Sequence, residues 1–372
     1  MVEQFRELEE LSVKLKKQAD LHCLNADYLN VYFENSSFED YLTQHLAPYF
    51  LNSVEDNPPQ FNVYCFMLND IEKFAGLFAQ EQKIKHYSLS ENKVYQKLAV
   101  PISDCENFVY DPQNHSIIQT KNNEMTIFSN SSHYNQACKR VIRDELIYGL
   151  TQVNDNPAIL LHSACAMSQD GKGILICGDK GAGKTTTLVN LLAAGYDLVS
   201  NDLTFAKMID GEVFVKGTPE SINIGFGTAA KFSQLRDIIP PKMVNLSDHE
   251  LWQTHLKPEL DWQALAERFQ VNLVSGWVRL GVILFPKIGE NLLTKTNQLS
   301  QLQLKRELEN NYRGIIAGNN VPWSSIIQKR LACVNQTRVN LLRNRLLDTE
   351  AISVRYSGGK DVLLSAIQNR IG

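Results

Sequence analysis

The chain has 372 residues, with 37 Lys plus Arg against 41 Asp plus Glu and a net charge of −4. That length is enough to bury a large core and predicts two or three subdomains, while the near balance of charge gives no bulk electrostatic reason to expect nucleic acid or an anionic membrane as partner. No apolar run approaches the roughly 20 residues needed to cross a bilayer.

Met1 to Glu7 is acidic and amphipathic rather than charged and then apolar, so a cytoplasmic location is the expectation. The seven cysteines, at 23, 65, 105, 138, 165, 177 and 333, are odd in number and scattered, which fits reduced thiols better than a disulfide framework or a zinc site. Residues 3–18 carry Phe5, Leu8, Leu11 and Leu15 near helical spacing with charges between them, the pattern of a surface helix. An aromatic-rich stretch follows, closed by a break at Asn57-Pro58-Pro59. Short β-like runs at 63–67, 98–101 and 116–119, separated by Asn, Asp, Pro and Ser clusters, predict a small sheet-containing N-terminal domain over 1–152. Residues 135–151 read as a helix bearing Arg140 and Arg143, and Asn154-Asp155-Asn156-Pro157 as the turn after it.

The apolar run 158–167 leads to Asp170-Gly171, a hairpin signal, and then at once to the strand Ile174 to Cys177. The strand entering the next loop is therefore expected to pair antiparallel with its predecessor, unlike the all-parallel sheets of dinucleotide folds. The loop itself, Gly178-Asp179-Lys180-Gly181-Ala182-Gly183-Lys184-Thr185, fits Gly-x-x-x-x-Gly-Lys-[Ser/Thr] and opens a helix-like segment running to Ala193. Glycines at 178, 181 and 183 permit positive φ and close backbone approach, so successive N–H groups can turn toward phosphate oxygens. The helix start adds unpaired N–H groups and the positive end of its dipole. Lys184 would reach the β- and γ-phosphates and Thr185 would offer its hydroxyl to Mg²⁺. Residues 178–185 together with Thr186 are thus the candidate nucleotide-binding stretch, with ATP and Mg²⁺ as cofactors. Cys177, beside the loop, reads as a small apolar residue ending a buried strand in preference to a redox switch. A short strand then ends in Asn201-Asp202, where Asp202 is placed to hold Mg²⁺ or to accept a proton from an attacking hydroxyl.

From His162 to Asp202 the run of a His, a hairpin, Gly-Asp-x-Gly-x-Gly-Lys-[Ser/Thr], a helix and Gly-x-x-Leu-Val-x-x-Asp resembles the HPr kinase/phosphorylase family, over residues 158–227. These are bacterial kinases with a catalytic domain related to phosphoenolpyruvate carboxykinase, in a wider group that includes kinases associated with modified-peptide biosynthesis. The resemblance implies that His162 is the histidine close to the phosphates, that Gly178, Gly183, Lys184 and Thr185 contact nucleotide and metal, and that Asp202 is the second of two adjacent aspartates. Asn201 stands where the family has the first, regarded as the base. Lys216-Gly217 matches a basic residue followed by Gly, and Phe214 replaces an acidic residue two positions earlier. With Asn201 unable to take up a proton, base work would fall to Asp202 or His162. The family's downstream dephosphorylation signature has no convincing copy here, so a kinase without reverse phosphorolysis is expected.

The expected fold is α/β (α+β): a mixed-sheet P-loop kinase core of the phosphoenolpyruvate carboxykinase-like type over 153–290, preceded by the N-terminal domain as acceptor-recognition unit, and a mainly helical C-terminal region over 291–372 packing on the core. Within it, 282–286 reads as a strand and 302–310 and 339–347 as helices. Glu220 reads first as a solvated turn carboxylate and second as an acidic group near Mg²⁺. Arg343, Arg345 and Arg355 read as a solvated helix face more than as phosphate contacts, and Ser357-Gly358-Gly359-Lys360 as a loop. The function expected is an ATP- and Mg²⁺-dependent kinase transferring the γ-phosphate to a hydroxyl of a peptide or protein serine, or of a small molecule. Catalytic candidates are Asp202, His162 and Lys184, and metal candidates Thr185 and Asp202. Asn201 motivates the alternative, a catalytically weak nucleotide-binding regulatory or interaction module. Carboxykinase chemistry on oxaloacetate is not expected, because no further His and Lys set has the spacing it needs. A homo-oligomer is left open.

Overall fold

The structure, a computed structural model, describes residues 5–371 apart from 27–28, 47–60, 79–81, 88–93, 104–105, 154–155, 219–221, 255, 290–291, 314–334 and 358–359. The break at Asn57-Pro58-Pro59, Glu220, the Gly358-Gly359 pair, Cys105 and Cys333 lie outside the described residues. The described residues up to Pro157 form one compact unit, and those from Ala158 to Arg313 with 336–371 form a second.

The strands of the first unit are β1 (His22–Ala26), β2 (Leu29–Phe33), β3 (Phe61–Met67), β4 (Gln82–Tyr87), β5 (Val94–Pro101), β6 (Glu106–Asp111), β7 (Ser116–Lys121) and β8 (Glu124–Ser129), with β-branched and aromatic residues enriched in β2, β3, β7 and β8. They pair in the order β1-β2-β3-β8-β7-β6-β5-β4, parallel at β2/β3 and β3/β8 and antiparallel elsewhere. Successive strand side chains point to opposite faces. On one face Phe66 joins Phe5, Leu8, Phe78 and Phe108 at the helix Arg6–Gln18, and the Phe5 ring sits 5.1 Å from the ring centres of both Phe78 and Phe108. On the other, Cys65 meets Cys138 and Tyr134 of the helix Tyr134–Tyr148.

The second unit begins with β9 (Ile159–His162), β10 (Ala164–Met167) and β11 (Lys172–Ile176), and continues through β12 (Asp197–Ser200), β13 (Leu203–Ile209), β14 (Glu212–Gly217), β15 (Ile222–Asn223), β16 (Glu259–Leu260), β17 (Val278–Ile288), β18 (Lys295–Gln298), β19 (Tyr312–Arg313) and β20 (Glu350–Tyr356). As the Asp170-Gly171 turn requires, β10 and β11 are antiparallel, with Gly171 at φ +77°. The sheet runs β12-β10-β11-β17-β14-β13-β9-β19. β17 is its hub: β11 lies parallel along one edge, while the other edge takes β14 at its start and β20, in parallel, along its end. The buried β17 run Val282 to Phe285 explains why a long strand can serve three partners, since both of its faces are covered. The fold class is therefore α/β with mixed sheets.

Residues 291–372 contribute helices at Gln301–Glu309, Gln336–Leu346 and Lys360–Ile371, and also the strands β18, β19 and β20. These strands escape a sequence reading because β18 and β19 are short, and because β20 buries Ala351, Ile352, Val354 and Tyr356 without a strict period of two. Tyr356 is fully buried and its hydroxyl lies 2.8 Å from that of Thr187, on the helix Lys184–Leu192. Tyr356→Phe leaves the Thr187 hydroxyl short of this partner and should lower the unfolding free energy by about 1–2 kcal/mol. Urea denaturation of Tyr356→Phe, Thr187→Val and the double variant measures this, and the double variant should lose less than the sum of the two singles.

Candidate functional site

Every predicted site residue belongs to the second unit. The loop 178–183 leaves the end of β11 and enters the helix Lys184–Leu192, and Gly178, Gly181 and Gly183 have φ of +142°, +89° and +103°. Only glycine adopts these values readily. At Gly183 space is also short, because a Cβ there would lie 2.5 Å from Ile288 Cδ1 at the end of β17. Three hydrogen bonds pin the loop: Cys177 N–H to the Leu284 carbonyl (2.8 Å), Ile288 N–H to the Ala182 carbonyl (3.2 Å) and Gly178 N–H to Asn311 Oδ1 (3.1 Å). Among the described residues no side chain caps the helix, so its first N–H groups remain available to an anion.

Lys184 is 9% exposed and turns back over the loop, donating from Nζ to the carbonyls of Gly178 (2.7 Å) and Asp179 (3.3 Å). Burial lowers its ammonium below the ordinary lysine value, against the opposing pull of Asp202. Asp179 and Lys180 are exposed and Thr185 is half-buried at the first turn. Thr186 is different. It is buried, with its hydroxyl 2.7 Å from that of Thr228, so its side chain is a packing group and only its backbone N–H faces outward along the helix start. Cys177 is fully buried, and burial pushes its thiol up to about 12, the condition of an inert core cysteine.

Asp202 follows β12, and His162 ends β9; the antiparallel pairing of β9 with β13 sets Leu203 opposite His162 and so brings the two together. His162 Nε2 is 3.2 Å from Asp202 Oδ1, and His162 Nδ1 is 2.8 Å from an Arg313 guanidinium nitrogen. Asp202 is held below the usual carboxylate range, first by the hydrogen bond from His162 and then by the charges of Lys184 and Arg313. Its side chain is 57% exposed, open to a ligand. Asn201 is 9% exposed and its Oδ1 is buried with no hydrogen-bond partner among the described residues. Lys216 is buried with its ammonium 5.8 Å from the Trp277 ring centre.

Two residues of this cluster carried no sequence signal. Asn311 and Arg313 lie on or beside β19, whose pairing with β9 is a long-range contact that no local pattern announces. The arginines singled out from sequence serve elsewhere. Arg345 bonds the Gly211 carbonyl and approaches Glu212 and Asp348, at the turn of the β13–β14 hairpin. Since β13 starts beside Asp202, that turn is a strand length, roughly 20 Å, away. Arg343 stacks on Tyr312 at 4.6 Å, and Arg355 is exposed.

Among the described residues no helix is long and apolar enough to cross a membrane, and no cluster of three or more His, Cys, Asp or Glu is arranged to hold a metal. A magnesium site does not require one, because that ion keeps several waters and commonly takes one or two protein oxygens plus phosphate. No family model matches the chain and no curated protein matches it significantly. Among solved structures, the chain is similar to the Hpr(Ser) kinase/phosphatase from Coxiella burnetii at 15% identity and a TM-score of 0.21, over 49% of this chain and 92% of that one.

Proposed function

We propose that this chain is an ATP- and Mg²⁺-dependent kinase with a P-loop core of the phosphoenolpyruvate carboxykinase-like type, transferring a γ-phosphoryl group to a hydroxyl. The observation that carries the proposal is the loop 178–183, with three positive-φ glycines and Lys184 folded over it, at a strand end beside Asp202 and His162. The uncapped helix start and the loop N–H groups other than those of Gly178 and Ala182, which donate to Asn311 Oδ1 and the Asp179 carbonyl, supply the donors that a polyphosphate needs. Lys184, already poised over the loop carbonyls, exchanges those contacts for β- and γ-phosphate oxygens. Thr185 and Asp202 are the residues that would hold Mg²⁺, which would neutralise charge on the polyphosphate.

In the transfer, the acceptor oxygen bonds to the γ-phosphorus as the bond to the β–γ bridging oxygen breaks, and ADP departs with that electron pair. The hydroxyl proton leaves for Asp202 or His162. A carboxylate held below its usual range is a weak base, which suits a loose transition state in which positioning and charge neutralisation dominate. Acceptors in this reading are a peptide or protein serine or a small-molecule alcohol, selected with the help of the first unit, in a cytoplasmic setting. The buried, unpartnered Asn201 Oδ1, standing where an aspartate would be the base, favours a second reading, in which nucleotide orders a surface and is not consumed. ADP release over a broad acceptor panel separates the two.

Lys184→Ala removes the loop's cation and should reduce kcat/KM by about 10²-fold or more while the circular dichroism spectrum is unchanged. Full retention of γ-phosphate transfer in that variant would falsify the kinase assignment. Gly183→Ala forces a Cβ onto Ile288 at an unfavourable φ and should weaken ATP binding at least about tenfold in calorimetry, with a loss of about 1–3 kcal/mol in stability. Unaltered ATP affinity in this variant would remove the loop from the binding site.

A further inference from the structure

We propose that Arg313 is a positioning residue that fixes His162 as its Nε2–H tautomer and thereby withdraws the imidazole as acceptor of the hydroxyl proton. A guanidinium has N–H donors and no acceptor. At 2.8 Å from the Arg313 nitrogen, His162 Nδ1 must therefore present its lone pair, and the ring proton resides on Nε2. Nε2 faces Asp202 Oδ1 at 3.2 Å and donates to it. Both imidazole nitrogens are then engaged, one accepting and one donating. No basic nitrogen is left to take a proton from a hydroxyl unless Arg313 first lets go.

Arg313 is not a free surface arm. Its Nη1 donates to the carbonyls of Asn310 (3.1 Å) and Tyr312 (3.2 Å). The strand that bears it pairs with β9 in a fixed register, Arg313 opposite Leu160 and Tyr312 opposite Leu161, and the His162 N–H donates to the Asn311 carbonyl at 2.8 Å. Donor and acceptor thus sit on neighbouring strands that share backbone hydrogen bonds. Among the described residues, the other charged group whose field reaches the Asp202 carboxylate is Lys184, from the helix. The same segment reaches the phosphate loop through Asn311, so one short strand organises the loop and the histidine together.

The consequence for the hydroxyl proton rests on the kinase reading; the tautomer does not. The test is a long-range ¹H–¹⁵N correlation spectrum of the full-length protein with ¹⁵N-labelled histidine at neutral pH, with His162→Gln used to identify the signals. In the wild type, Nδ1 of His162 should resonate as an unprotonated nitrogen and Nε2 as a protonated one. Arg313→Met should shift that pattern, and Arg313→Lys, which keeps a donor, should retain most of it. In phosphoryl-transfer assays, Arg313→Met should lower kcat about tenfold or more with the KM for ATP changed less than about twofold, and Arg313→Lys should restore most of the rate. A wild-type ring protonated on Nδ1, or on both nitrogens, overturns the proposal even where Arg313→Met fails to fold. So does an Arg313→Met spectrum identical to the wild type. The predicted tautomer together with no ADP formation from any acceptor would instead sink the kinase reading and, with it, the consequence drawn for the hydroxyl proton, while the Arg313–His162 contact stands.

Discussion

The second unit depends on how a glycine-rich loop is held at the edge of its own strand. Left to itself, a run with three positive-φ glycines is a poor anion receptor, because glycine loses the most conformational freedom on being ordered. Here the ordering is done by neighbours: Leu284 and Ile288 of β17 at one side, Asn311 at the other, and Lys184 across the loop carbonyls. The long hub strand therefore does more than complete the sheet. Its last residues set the shape of the loop, and Ile288 fills the space that a side chain at 183 would need.

Charge in the site is arranged as carefully as backbone. Lys184 and Arg313 bring two cations toward Asp202, with His162 between Arg313 and the carboxylate. The surplus positive charge suits an anionic ligand, and burial lowers the lysine below its ordinary value. Asn201 is the exception to this economy. A buried acceptor without a partner is costly, of the order of 1–3 kcal/mol, and it belongs to the residue that precedes Asp202 in the chain.

The first unit is built around two apolar interiors. Its sheet carries helices on opposite faces, with aromatic rings around Phe5 making one interior and Tyr134 with Cys65 and Cys138 making part of the other. Stability there comes from apolar burial and ring packing, at about 1.5–3 kcal/mol for each fully buried large side chain. Both units also bury polar groups: Glu106, Asp111, Asp144 and Glu145 in the first, Lys184, Lys216, Asn201 and Asn311 in the second.

Much of the second unit was legible from residues alone. The Gly-x-x-x-x-Gly-Lys-Thr run determined the loop, its positive-φ glycines and the following helix, because those features depend on residues within a few positions of one another. The Asp-Gly turn likewise determined the antiparallel entry strand. What only the tertiary structure decided is what meets the loop from afar: Asn311 on Gly178, Arg313 on His162, Ile288 against Gly183, Tyr356 on Thr187, and the strands β18 to β20. Strand pairing and side-chain contact between distant segments are set by the packing of the whole sheet, and a side chain such as that of Arg313 has the same local character whether it solvates a surface or locks a histidine.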